Sequence, residues 1–269
     1  MQFEPLKEQA GRYLRKSGIL RKIFYSGLNL LFLRSWHLHK ALRSLRKTLP
    51  KDASVLDAGS GLGQHSWYMA KKNKGWKIKG IDIIKQQADD CNMFFGSEGM
   101  VGRVHFETGD LAALNEREAF NLIISVDVME HIENDRQVFR NFWSALKPDG
   151  IVLITTPSNI DNSGKTGTNA ASFVSEHVRS GYGIDEIAEK LNEAGFSKLG
   201  IKYTYGWPGH ISWLLSIKYP AVMIEKSKFF FIILPFYYIP VLPIALILNI
   251  FDTCIDHKTG TGLLITAYK

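Results

Sequence analysis

Short apolar runs alternate with longer amphipathic segments through the middle of the chain. Runs such as SVLDAG, RVHFETGD and FNLIISVD are rich in aliphatic and aromatic residues and indicate strands. Strands are predicted at residues 54–59, 76–83, 103–110, 120–127, 150–156, 198–205 and 262–268. Helices are predicted between them at residues 63–72, 86–95, 136–146 and 184–194, the last ended by Gly195. This alternation predicts an α/β fold with a mainly parallel sheet covered by helices on both faces.

Two regions depart from this alternation. Within residues 1–50, apolar side chains recur at helical spacing, for example at Leu20, Phe24, Leu28 and Leu31, and predict helices. Residues 229–251, FFFIILPFYYIPVLPIALILNIF, carry no charge. We therefore divide the chain into a helical extension (1–50), a core (51–206), a hydrophobic insertion (207–260) and a final core strand (261–269).

The uncharged segment 229–251 of the hydrophobic insertion is long enough to cross a bilayer, which needs ~20 apolar residues. Pro235, Pro240 and Pro243 are expected to interrupt it, because each removes a helical hydrogen-bond donor. Strands predicted before and after it should belong to one sheet, which argues against a single crossing. We expect instead a re-entrant or interfacial element, a hydrophobic lid, or a dimer contact.

Charge is unevenly distributed along the 269 residues. The net charge is +7, and residues 1–50 hold eleven Lys and Arg against Glu4 and Glu8. Such an arm indicates an anionic partner, nucleic acid or a lipid surface, or else a solvated helical face. Cys91 and Cys254 form no metal or redox pattern, so we expect no metal and a reducing cytosol.

The first chemistry-bearing motif is VLDAGSGLGQH, residues 55–65, where a buried strand ends at Asp57. Gly59, Gly61 and Gly63 follow; glycines allow a sharp turn and close approach to a ligand, above the amino terminus of the next helix. Gln64 stands where the dinucleotide fingerprint needs its third glycine, which disfavours NAD and FAD.

Two further carboxylates end the next two predicted strands. Asp82 closes WKIKGID and could accept hydrogen bonds from the vicinal hydroxyls of a ribose, or cap a helix. Asp110, in ETGDL, could accept from an adenine amino group while the Leu111 backbone N–H donates to the ring, or it could be a turn residue. Three carboxylates at the ends of successive strands favour nucleotide binding over three separate turns.

The series VLDAGSGLGQH, GIDI, TGDL, FNLIISVDVMEHIEND and LKPDGIVLITTPS resembles the motifs of class I S-adenosylmethionine-dependent methyltransferases. It is most similar to the branch with ubiquinone- and menaquinone-biosynthesis methyltransferases, and covers residues 53–196, about half the chain. The resemblance implies a Rossmann-like, seven-stranded, mostly parallel sheet with an antiparallel last strand, and S-adenosyl-L-methionine as cofactor. The cofactor-binding residues that it implies are Asp57, Gly59, Gly61 and Gly63 for the methionyl part, Asp82 for the ribose, Asp110 and Leu111 for the adenine, and Ser125, Val126 and Asp127 beside the sulfonium. Ser60 and Ile83 are also expected to bind the cofactor.

Methyl transfer is an in-line displacement, so positioning dominates, with a general base if the acceptor is a hydroxyl. His131, in MEHIEND, follows the fourth strand, although the E-H pair of this family often supports the cofactor pocket. His177, in SEHVRSGYG, falls on the expected lid, where family members often hold acceptor-binding residues. Both are candidate bases, and a lid histidine favours O-methylation over N- or C-methylation.

The basic arm and the apolar insertion together predict a peripheral enzyme at the cytoplasmic face of a membrane, acting on a small, lipid-like acceptor. A nucleic-acid methyltransferase is disfavoured, because SVDVME replaces the D/N-P-P-Y/F/W motif of base methylation. Two alternatives stay open: a non-catalytic nucleotide-binding module or oxidoreductase, and a methyltransferase of a small polar metabolite whose insertion forms a homodimer.

Overall fold

The computed structural model describes residues 17–160, 178–227 and 229–269. Within them, seven strands form one sheet in the order β3-β2-β1-β4-β5-β7-β6. The strands are β1 (Ser54–Ala58), β2 (Lys77–Asp82), β3 (Val104–Thr108), β4 (Phe120–Val126), β5 (Leu146–Pro157), β6 (Lys198–Thr204) and β7 (Gly262–Tyr268). The predicted α/β fold is confirmed.

Strand direction also agrees with the prediction. β1 to β5 pair in parallel, whereas β7 lies antiparallel between β5 and β6. β5 begins at residue 146, four residues before the predicted start, because Leu146 pairs with Phe120 beyond a bulge. Parallel strands bring their carboxyl ends to one edge, so the motifs after β1, β2, β3 and β4 meet there.

Helices cover both faces of the sheet. The α-helices of the described residues are α1 (Gly18–Leu31), α2 (Leu33–Leu45), α3 (Gln64–Lys72), α4 (Lys85–Ser97), α5 (Asp135–Ala145), α6 (Ile184–Ala194), α7 (Trp207–Trp213), α8 (Tyr219–Lys226) and α9 (Phe230–Cys254). Alternate strand residues face opposite layers, as a pleated strand requires: Ile123 packs with α5 and α6, and Leu122 with α2, α3 and α4. The helix α2 therefore belongs to the core of the molecule.

The first helix buries an unexpected face. Ile19 and Ile23 are exposed, whereas Arg21 and Tyr25 are buried against the core. The Arg21 guanidinium donates to the backbone carbonyls of Asp90 and Leu62, at 2.9 and 2.7 Å, so these N–H groups have hydrogen-bond partners inside the protein. An isolated periodicity could not show this orientation, because the partners of Arg21 lie on distant segments.

The expectation that three prolines interrupt the apolar insertion is wrong. Pro235, Pro240 and Pro243 all lie inside α9, which continues for 25 residues. Each proline removes one N–H donor, but its fixed φ matches a helix, and a neighbouring helix supports the chain here. Among the described residues, α9 is the one helix long and apolar enough to cross a membrane.

Candidate functional site

The turn after β1 is built from left-handed glycines. Gly59, Gly61 and Gly63 have φ of 79°, 51° and 78°, a region that disfavours side chains. The backbone N–H groups of Gly59 and Ser60 donate to the Ile81 carbonyl at 2.8 and 3.0 Å, which fixes the turn against β2. A Cβ at Gly61 would have Gln87 as its nearest neighbour, at 3.7 Å, so this side of the turn is open to a ligand.

Asp82 joins this turn to the end of β2. Its Oδ2 accepts from the Gly61 N–H at 2.8 Å, and its Oδ1 accepts from the Ile84 N–H at 3.0 Å. A carboxylate oxygen can accept more than one hydrogen bond, so Asp82 keeps capacity for ligand hydroxyls. The Ile83 side chain beside it is 74% exposed, which leaves an apolar surface at this edge.

Asp57 lies buried beneath the glycine turn. Its Oδ2 accepts from the Ser66 hydroxyl at 2.6 Å, and only 1% of the residue is exposed. Burial raises the pKa of Asp57 to about 6, although the hydrogen bonds from Ser66 favour the ionised form, and the charge of Asp82 adds to the rise. A cationic ligand group over the turn would stabilise the ionised carboxylate.

Two hydroxyls near this edge lack partners. The Oγ atoms of Ser60 and Ser125 are buried and make no hydrogen bond. Ser60 belongs to the glycine turn, and Ser125 lies near the end of β4, paired in register with Ala58. Because buried polar groups nearly always have a partner, these two hydroxyls are available to polar atoms of a ligand.

The third predicted carboxylate begins a short helical turn. Asp110 Oδ1 accepts from the Ala112 N–H at 2.8 Å and caps residues Leu111–Ala113. The buried Leu111 is held in place because Asn141 donates to its carbonyl at 2.9 Å. Asp110 can cap this turn and still bind a ligand, because its Oδ2 atom makes none of these hydrogen bonds.

The turn after β4 carries a strained residue and an ion pair. Asp127, which follows the half-buried Val126, has a φ of 51°, while its N–H donates to the Thr155 carbonyl at 2.9 Å. Its carboxylate forms an ion pair with Arg34 at the start of α2. The backbone N–H of Arg34 donates to the Tyr205 hydroxyl at 3.0 Å. A helix from the amino-terminal region and the loop after β6 thus close over this end of the site.

The two candidate bases have different outcomes. His131 ends a short helical turn, Met129–His131, after β4, and its N–H donates to the Val128 carbonyl at 3.0 Å. Its neighbour Glu130 is 1% exposed and accepts from Thr156 Oγ1 at 3.2 Å; burial raises the pKa of Glu130 to about 7. His177 lies outside the described residues, so its predicted role stays a prediction.

Three site residues escaped the sequence reasoning. Arg34 lies in the basic amino-terminal region, Tyr205 ends a predicted strand, and His65 ends the glycine motif without a predicted role in the site. Burial, with the nearby charges of Arg34 and His39, lowers the pKa of His65 to about 3, and its Nδ1 is buried without a partner. No sequence signal links these residues, because the closure of α2 over the sheet edge brings them together.

A cavity of about 660 Å³ lies at the opposite edge of the sheet. Its lining includes Ser54, Lys77, Val104 and Phe120, which lie at the amino-terminal ends of strands. Ligands of open α/β sheets bind beyond the carboxyl ends, where the glycine turn and carboxylates lie. We therefore assign the site to the carboxyl edge.

Comparison with known proteins shows which family this chain resembles. A family profile described as "Methyltransferase domain" matches residues 34–199. Phosphoethanolamine N-methyltransferase 1 of Triticum aestivum is 33% identical over 150 residues, 53% of this chain and 28% of that protein. Ubiquinone biosynthesis O-methyltransferase of Rickettsia canadensis is 22% identical over 120 residues, 45% of this chain and 49% of that protein.

A solved structure shares the fold. Phosphoethanolamine N-methyltransferase 2 of Haemonchus contortus, in complex with phosphomonomethylethanolamine and S-adenosylhomocysteine, superposes with a TM-score of 0.62. It is 21% identical, and the match covers 87% of this chain and 52% of that one. The chain thus spans about a quarter of the wheat relative and about half of the nematode protein.

Proposed function

Because the chain belongs to the methyltransferase-domain family, we propose that it is an S-adenosylmethionine-dependent methyltransferase whose acceptor is a small, lipid-like molecule met at a membrane surface. The observation that carries the reaction class is the linked pair of the glycine turn and Asp82, joined through the Gly61 N–H at 2.8 Å. This arrangement offers backbone donors and a carboxylate to one ligand at the carboxyl edge of a parallel sheet.

The residues present fit the methyl donor. The unpartnered hydroxyls of Ser60 and Ser125 can bind its polar atoms, and the open side of Gly61 admits it close to the backbone. Asp57 would bind its ammonium group, Asp82 its ribose, and Asp110 its adenine. When bound, the donor supplies an electrophilic methyl group on a sulfonium.

The residues of this chain then act by positioning and by managing charge. Asp127 and Glu130 bring carboxyl groups to the end of β4 and the turn after it, and Arg34 compensates the charge of Asp127. A general base is required only if the acceptor is a hydroxyl, and His131 and His177 are the candidates for it. We retain O-methylation as the expected reaction on this basis.

The ion pair of Arg34 bears on the acceptor. An acceptor with a free ammonium group would compete with Arg34 for the Asp127 carboxylate, whereas a neutral or anionic acceptor would not. The base of the hydrophobic insertion lies close by, because a Cβ at Gly209 would meet Leu33, the residue before Arg34, at 2.4 Å. An apolar tail could therefore extend from the site along the insertion, which supports a lipid-like acceptor.

A polar acceptor is the second candidate. It is favoured by the names of the relatives, which include phosphoethanolamine N-methyltransferases. In that case the insertion would form a homodimer. We propose a peripheral location at the cytoplasmic face of a membrane for the first candidate, and no nucleic-acid partner for either.

Two measurements test this proposal. Calorimetry should detect binding of S-adenosylhomocysteine and no binding of NADH; the reverse would refute the reaction class. Transfer of a labelled methyl group from S-adenosylmethionine should be followed into an organic extract of membrane lipids and, separately, into phosphoethanolamine. Label that accumulates only in phosphoethanolamine would reject the lipid-like acceptor and support the second candidate.

A further inference from the structure

The segment between β6 and β7 folds as an antiparallel helical hairpin. One arm runs through α7 and α8 and the other is α9, and contacts join them in antiparallel register. Gly209 N–H donates to Asp252 Oδ2 at 2.9 Å, Ser212 Oγ to the Ala245 carbonyl at 3.1 Å, and Tyr237 Oη to the Leu215 carbonyl at 2.7 Å. Both ends of this hairpin, residues 207–254, return to the same sheet.

The polarity of the hairpin is the reverse of that of a soluble helix pair. Its buried residues are small or polar, among them Ser212, Ser216, Asn249 and Asp252. Its large apolar side chains point outward, and in the most apolar window of α9 only 6% of the residues are buried. Phe236 and Ile239, for example, are 70% and 71% exposed. Contiguous exposed apolar surface of this kind marks a contact with lipid, a ligand or another protein.

The backbone of the hairpin is also satisfied internally where the helix is irregular. Residues Leu214–Lys218 are π-helical, so the Tyr219 N–H bonds the Leu214 carbonyl and leaves Leu215 without its usual donor. The usual donor for the Ser216 carbonyl is residue 220, a proline with no N–H. The hydroxyls of Tyr237 and Tyr238 donate to these two carbonyls, each at 2.7 Å. Water could satisfy such carbonyls on a soluble surface, whereas in lipid a protein donor is required.

Charge is placed as an interfacial position requires. α9 carries no charge before Asp252, which is buried between His37 and His257 at 2.7 and 3.2 Å. Lys218, Glu225 and Lys226 lie on the other arm. Exposed Lys258 lies near the base of the hairpin, in the loop after it, whereas Lys202, in the strand before it, pairs with Asp256 at 2.9 Å. Lys218, Lys226 and Lys258 can therefore reach anionic headgroups while α9 faces acyl chains.

We infer that the hairpin lies in one leaflet of a lipid bilayer, with α9 toward the acyl chains and the arm of α7 and α8 toward the headgroups. The exposed apolar residues 231, 232, 236, 239, 244, 247, 250 and 251 cover an arc of roughly 220°, at ~100° per residue. A single helix of a second copy would cover a stripe of about 100°, so lipid fits this surface better. The inference deepens the membrane location given under the proposed function and does not depend on the identity of the acceptor.

Flotation of the full chain with vesicles tests this inference. The vesicles are phosphatidylcholine alone or with phosphatidylglycerol, and the wild type should float, more strongly with the anionic mixture. The double variant Phe236→Glu with Ile239→Glu should reduce vesicle binding at least about tenfold, because two apolar side chains that insert are replaced by charges. The control is Met93→Glu with Val101→Glu, at positions that are 72% and 81% exposed. These residues lie near β3, the outer strand on the side of the sheet away from the hairpin, and the variant should float like the wild type.

Molar mass in solution and donor binding separate the other outcomes. A wild type that stays in the soluble fraction overturns the inference, and a dimer that Phe236→Glu with Ile239→Glu dissociates would identify a second copy as the occupant. Equal loss of flotation in the control variant also overturns it. Calorimetry with S-adenosylhomocysteine on the same samples reports the reaction class independently, so retained donor binding without flotation rejects the membrane location and leaves the methyltransferase assignment standing.

Discussion

Asp57→Asn should separate the stability of the protein from its function. Burial raises the pKa of Asp57 from 3.8 to about 6, so the ionised carboxylate is disfavoured in the folded protein. A rise of this size corresponds to about 3 kcal/mol at a pH well above 6. Asparagine has the same shape, can still accept from the Ser66 hydroxyl, and carries no charge. We therefore expect the variant to be more stable than the wild type at pH 8, by up to about 3 kcal/mol.

The pH dependence gives the sign of the effect. Between about pH 4 and pH 6 the folded protein binds the Asp57 proton more tightly than the unfolded chain does. The free energy of unfolding that this group contributes therefore falls as pH rises through that window. In Asp57→Asn this fall should disappear, so the difference between variant and wild type should be small at pH 4 and largest at pH 8.

Urea unfolding at pH 4.5 and pH 8, together with calorimetry of S-adenosylhomocysteine, measures both effects. The variant should bind the cofactor product at least about tenfold more weakly, because a charge-assisted contact is lost. Asp52→Asn, at an exposed position before β1, is the matched control and should change neither quantity. An Asp57→Asn protein that is equally destabilised at both pH values, or that binds the product as tightly as the wild type, would refute the reasoning.

Three further predictions concern the turn, the ion pair and the hairpin. Gly63→Ala should lower the free energy of unfolding in urea more than Gly99→Ala does, by about 1 kcal/mol or more. Both glycines have a positive φ, but of the two only a Cβ at Gly63 would meet neighbouring atoms, at 3.0 Å. Equal losses in the two variants would contradict this. Arg34→Gln should raise kcat/KM for phosphoethanolamine relative to kcat/KM for an uncharged acceptor, because Asp127 loses the cation with which the ammonium group competes. If the ratio of the two values does not change, the argument against ammonium acceptors fails. Tyr237→Phe with Tyr238→Phe should lower the midpoint of thermal unfolding in vesicles by several degrees, because the Leu215 and Ser216 carbonyls lose their donors in lipid. An unchanged midpoint would show that other donors bind these carbonyls.

Much of the fold follows from local pattern. The helix Ile184–Ala194 and the strand Gly262–Tyr268 have the predicted limits, because periodicity, a left-handed Gly195 and neighbouring turn residues all act within a few residues. The positive φ at Gly59 and Gly61 likewise agrees with the turn that their spacing predicts. The prolines did not predict the structure of the insertion correctly. The free-energy cost of a missing N–H donor depends on the packing of neighbouring segments, which hydrophobic periodicity does not report.

The sequence by itself determined the order of strands and helices, the glycine turn, and the carboxylates that end successive strands. Tertiary structure decided the direction in which apolar and charged side chains face. Arg21 is buried, Arg34 reaches Asp127, and the apolar side chains of α9 remain exposed around a polar seam. The physical reason is that periodicity records which residues are apolar, whereas burial, ion pairing and exposure depend on segments that only the closed sheet brings together.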